Sequence, residues 1–80
     1  MPTDNGAAAA ELVAFIAKAI VSDSEAVKVT PSDGGGLLEL ETASDDRGRV
    51  IGRQGRIAKA MRAVLAASRV GADCRLDIVD

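Results

Sequence analysis

Gly52 and Gly55 set what the C-terminal half of this 80-residue chain can become. They bracket Arg53 and Gln54, follow the apolar pair Val50-Ile51, and precede the run Arg56–Ala67, which holds neither Gly nor Pro. Glycine has no Cβ, so this pair lets the backbone turn sharply and come close to a ligand. The run behind it has helical periodicity, which puts the turn at a helix N-terminus. Unpaired N–H groups and the positive end of the helix dipole favour an anion there. Arg53, Arg56 and Lys59 add formal charge at the same place, and the simplest anion that explains them is a phosphate. A bare Gly-x-x-Gly is common in ordinary loops. The preceding apolar pair, the cations and the following amphipathic helix are what single this one out.

The charge distribution agrees. The chain as a whole carries −2, but residues 1–46 carry −7, residues 47–72 carry +7 with no acid among them, and residues 73–80 carry −2. The basic block is Arg47, Arg49, Arg53, Arg56, Lys59, Arg62 and Arg69. A local field of one sign steers a polyanion more effectively than net charge does, whereas ordinary solvated helix faces mix signs. Other chemistries are excluded by what is missing. Without histidine, and with Cys74 as the single cysteine, neither a disulfide within the chain nor a Cys/His zinc site can form. No nucleophile sits beside a base and no Walker-type Gly-Lys-Ser/Thr occurs, so no catalytic residue, metal or cofactor is expected. A dinucleotide-binding reading of Gly48, Gly52 and Gly55 fails on spacing. No leader or long apolar run is found, which makes the cytoplasm the expected compartment.

In chain order, residues 1–6 read as a frayed terminus with Asp4 or Asn5 as a helix cap, and residues 7–80 as one domain. A helix is expected from Ala7 to about Val21. Its core face is read as Leu12, Phe15, Ile16, Ala19 and Ile20, with Val13 and the alanines as spare surface. Ala26–Thr30 alternates as a strand stopped by Pro31. After the turn Ser32–Gly36, Leu37–Ala43 returns as a second strand, Leu38 and Leu40 inward, Glu39 and Glu41 toward water. A short helix over Asp45–Val50 follows, with Ser44, Asp45 and Asp46 as its cap residues and both Asp side chains stabilising its positive end. In the helix after the turn, Ile57, Met61, Val64 and Leu65 lie opposite Arg56, Lys59 and Arg62. Gly71 ends that helix, and Cys74–Asp80 alternates as a last strand with Cys74, Leu76 and Ile78 inward. The fold class is therefore α+β, in the order α-β-β-α-α-β. The last strand is expected parallel to the second in a mixed three-stranded sheet, with the helices on one face.

The run Gly48–Ala60 resembles the GXXG loop of K-homology (KH) domains, and nearly the whole chain, from about Glu11 to Asp80, resembles the small stand-alone bacterial KH proteins of the KhpA family. That resemblance implies a type II KH fold and a GXXG turn that clamps the backbone of about four nucleotides of single-stranded RNA. On this reading Arg49, Val50, Ile51, Gly52, Arg53, Gln54, Gly55, Arg56, Lys59 and Arg62 form the RNA-binding site. Backbone N–H groups meet phosphates, while Val50 and Ile51, with Leu37 or Leu40, floor a groove for the bases. The absence of Trp and Tyr tells against RRM and OB-fold readers, which stack bases on aromatic rings. A small aliphatic groove offers few directed base contacts, so low sequence specificity is expected; the resemblance further implies a role as RNA chaperone or post-transcriptional regulator, and links to cell elongation and division. Partners implied are a second copy of the chain, a KhpB (Jag-like) KH-domain protein, or both, with no membrane and no small-molecule substrate. The competing reading is a KH-shaped dimerisation module with little RNA binding. Gly52→Asp combined with Gly55→Asp is expected to abolish RNA binding and leave the fold intact.

Overall fold

The computed structural model describes residues 5–79. Helix α1 (Asn5–Ile20) leads to strand β1 (Lys28–Ser32) and strand β2 (Leu37–Glu41). A short helix α2 (Arg47–Ile51), the glycine turn, helix α3 (Arg56–Ala67) and strand β3 (Arg75–Ile78) follow. The element order is the one the sequence implies. Of the terminal segment expected over residues 1–6, Asn5 and Gly6 already belong to α1, and the cap expected at Asp4 lies outside the described residues.

The sheet runs β1-β2-β3, with β2 antiparallel to β1 and parallel to β3. Alternation decides its two faces. Leu38, Leu40 and Leu76 turn inward and are buried, whereas Leu37, Glu39 and Glu41 point to the opposite, open face. Pro31 does not stop β1 but lies within it, opposite Leu38. An edge strand tolerates this because the missing N–H faces away from the only neighbouring strand.

One core joins all three helices to the sheet: Ala9, Ala10, Val13 and Ala17 from α1, Val50 from α2, and Met61 and Leu65 from α3. Here the expected face of α1 is corrected. The helix meets the sheet through its alanines and Val13, while Phe15 is 75% exposed and Leu12 and Ile16 sit at the margin. Apolar residues occupy more than half of the circumference of α1, so periodicity alone does not choose among them. Small side chains let the helix axis come close to the sheet, and the larger ones are turned outward. In α3 likewise, Ala58, Met61 and Leu65 are buried while Val64 remains 45% exposed. That helix ends at Ala67, ahead of Gly71. Ser68 Oγ closes it by donating to the Leu65 carbonyl at 2.9 Å and accepting the Gly71 N–H at 3.0 Å.

Candidate nucleic-acid interface

The turn after α2 is built by backbone that only particular residues accept. Gly52 has φ 78° and ψ 170°, Gln54 φ 57° and ψ 25°, and Gly55 φ 74° and ψ 17°. The Gly52 conformation is essentially closed to residues with a side chain. A Cβ at Gly52 would also lie 2.8 Å from Ile57 Cγ1 and 2.9 Å from the Ile57 nitrogen, whereas one at Gly55 would meet nothing within 4 Å. A side chain at Gly52 is therefore strained and crowded at the expense of the fold, whereas Gly55 faces open space. The expectation that Gly52→Asp leaves the domain folded is corrected on this ground.

Internal hydrogen bonds hold the turn. Gly52 N–H donates to Gly48 O at 2.9 Å, Gly55 N–H to Gly52 O at 3.0 Å, and Arg56 N–H to Arg53 O. Those three amides are thus committed to the protein, and the amides of Arg53 and Gln54 take no part in these bonds. Arg53, Gln54 and Arg56 are exposed. Among the described residues, the side chains of Arg53, Arg56 and Lys59 make no hydrogen bond or ion pair. Arg56, Lys59 and Arg62 follow one another three residues apart, which lines them along one side of α3. That line ends at the sheet, where Arg62 Nε donates to Leu76 O of β3 at 3.2 Å. A shallow groove opens at this junction, lined by Arg62, Leu65, Cys74, Arg75 and Leu76. Cys74 Sγ donates to Gly35 O at 3.2 Å, which fixes this end of β3 against the β1–β2 turn.

The apolar part of the expected site is not brought together. Val50 and Leu40 are fully enclosed in the core, so neither can floor a ligand groove. Leu37 lies on the far face of the sheet from the helices. Ile51 is the one of that set that is both exposed, at 38%, and next to the turn. Arg49 stands apart from the outward cations, with its Nε 3.9 Å from Asp46 Oδ1. Arg75, absent from the expected site, lines the α3–β3 groove. Its signal in the sequence is weak, because it is separated from the basic block and bordered by Asp73 and Asp77.

Asp46 itself is 3% exposed and does not cap α2 as expected. Oδ1 accepts the Ser22 N–H and Oδ2 the Asp23 N–H, each at 3.0 Å. These two amides, more than the nearby Arg49 guanidinium, hold its carboxyl below the usual aspartate range.

Residues 10–78 match the family described as KhpA/KhpB, KH domain. The chain is similar to a protein of Treponema pallidum named RNA-binding protein KhpA, 49% identical over 74 residues that cover 88% of this chain and 92% of the relative. It is also similar to proteins of the same name from Halalkalibacterium halodurans, at 45% identity covering 86% of this chain and 96% of the relative, and Listeria monocytogenes, at 40% identity covering 88% and 97%. No solved structure matches the chain.

Proposed function

Because the chain belongs to the KhpA/KhpB family of KH domains, we propose that it binds single-stranded RNA, gripping the sugar-phosphate backbone at Gly52–Gly55. One observation carries the reading: a turn with unpaired, outward cations opens a helix whose cationic side leads to a groove at the sheet. Arg53 and Gln54 supply side chains and amides at the turn, Arg56 and Lys59 follow the backbone, and Ile51 offers apolar contact. The α3–β3 groove, bordered by Arg62 and Arg75, receives a base. Few directed contacts to base edges are available, which fits low sequence selectivity and a part as an RNA chaperone or post-transcriptional regulator in the cytoplasm.

The decisive variant is Arg53→Asp with Gln54→Asp. Both side chains are exposed and both positions accept aspartate, which tolerates the left-handed conformation at position 54. Anisotropy titration of a labelled single-stranded oligoribonucleotide is expected to lose binding, with an unchanged melting curve. Undiminished binding would refute the site. In the parent, log affinity should fall linearly with log salt, with a slope of about −0.7 per phosphate contacted.

A specific observation also favours self-association. Phe15 on α1 and Val64 on α3 are exposed, and Val64 borders an apolar groove between these helices that is lined also by Ile16, Ile20, Ile57 and Ala60, with Arg56 at its edge. Glu11 and Lys18 flank Phe15 on the exposed side of α1. An antiparallel contact of α1 with α1 of a second copy, about a twofold axis near Phe15, sets each Glu11 against the other copy's Lys18. The same apolar surface would suit a KH-domain partner of the KhpB (Jag-like) type. Sedimentation of Phe15→Glu is expected to give a monomer where the parent is a dimer. Equal sedimentation of the two proteins would count against this face.

A further inference from the structure

Asp46 is the one buried charged side chain among the described residues, and the RNA contact makes no use of it. Both of its oxygens are committed to backbone amides more than 20 residues earlier, where the chain leaves α1. Hydrogen bonds to an ionised carboxylate are shorter and about twice as strong as neutral ones. Helix α2, which begins at the next residue, has five residues and is too short to hold its conformation alone. Two anchors fix it: Val50 in the core near its C-terminus and the Asp46 clip at its start. The glycine turn inherits its place from α2, since Gly52 N–H closes on Gly48 O.

We propose that Asp46 is a positioning residue for the RNA contact: by tying the start of α2 to the exit of α1, its carboxylate sets how the Gly52–Gly55 turn faces the ligand. The proposal rests on the GXXG reading of the site, and its test separates the two. In Asp46→Asn, one amide N–H of the clip meets an NH2 group instead of an oxygen, so one of the two bonds is lost. Oligoribonucleotide affinity is measured at a temperature where circular dichroism shows parent and variant fully folded. Amide resonances of both are recorded alongside. The expected result is an affinity at least about threefold lower per folded molecule, with the Gly52, Arg53, Gln54 and Gly55 amides shifting together with those of Ser22 and Asp23. A lower melting temperature with unchanged affinity and unshifted turn amides would overturn the proposal and leave Asp46 a purely structural group.

Should Asp46→Asn not fold, acid titration of the parent decides. The Gly52 and Gly55 amides must then follow the Ser22 and Asp23 amides with a common midpoint below the usual aspartate range. Arg49 is the cation placed near the clip, Arg47, Asp23 and Asp45 adjoin it in the chain, and a turn that moves only with the two exposed aspartates refutes the link. If Arg53→Asp with Gln54→Asp binds RNA as well as the parent, the GXXG reading fails. The amide shifts still report whether the clip positions the turn.

Discussion

The two glycines of the turn should fail in opposite ways when each is given a methyl group. At Gly52 the φ 78°, ψ 170° backbone is all but closed to alanine, a strain of about 1–3 kcal/mol. The new Cβ would also lie 2.8 Å from Ile57 Cγ1 and 2.9 Å from the Ile57 nitrogen. The nitrogen belongs to the first turn of α3, so the backbone must shift, which adds about 1–3 kcal/mol of overpacking. At Gly55 the left-handed conformation costs alanine about 1–2 kcal/mol, and no atom lies within 4 Å of the added carbon. Gly52→Ala should therefore cost about 2 kcal/mol more than Gly55→Ala, or roughly 8–16 °C in midpoint for a domain of this size. For a chain with a total stability of roughly 4–12 kcal/mol, that gap is readily measured. Thermal melts by circular dichroism, with the two variants side by side, read it directly. Anisotropy with single-stranded RNA gives the second half: Gly55→Ala adds its methyl on the open side of the turn and should weaken binding more than it weakens the fold. Equal melting midpoints would refute the assignment of Gly52 to the fold and Gly55 to ligand approach.

The core and the clip give two further expectations. Leu38→Ala removes a fully enclosed side chain from the central strand and should cost about 2–5 kcal/mol in urea unfolding; a loss below about 1 kcal/mol would mean the site collapses around the gap. Asp46 has a folded pKa below its unfolded value of about 3.9, so its contribution is fully present above that pH and lost as pH falls through the folded pKa. Denaturation midpoints measured from pH 5 downward should fall more steeply for the parent than for Asp46→Asn, and parallel curves would contradict the clip.

How much of this was legible in the sequence depended on whether the signal was local. The strands were readable because Leu38-Glu39-Leu40-Glu41 alternates cleanly and only one register buries the leucines. The turn was readable because Gly52 and Gly55 sit between the apolar pair Val50-Ile51 and a cationic, amphipathic helix. The face of α1 was not, because its apolar arc is too wide for hydrophobicity to rank Phe15 below Ala17. Geometry ranks them: a close helix–sheet contact prefers the smaller residue. Val50 read as a ligand floor and proved to be core, since a five-residue helix has few side chains with which to anchor itself. Asp46 read as a helix cap because local rules see only neighbours, and its partners Ser22 and Asp23 lie in another part of the chain. Folding joins them, and nothing in either stretch announces it.

The alanine-lined seat of α1 separates two kinds of mutational freedom. Ala9, Ala10 and Ala17 touch the sheet with almost no side chain, so any enlargement there lifts a whole helix. Phe15 and its exposed neighbours contribute little to holding the domain together, so they can be rewritten at small cost to it. A lineage could therefore exchange one binding companion for another by altering the outer side of this helix, while the glycine turn and its cations stay as they are.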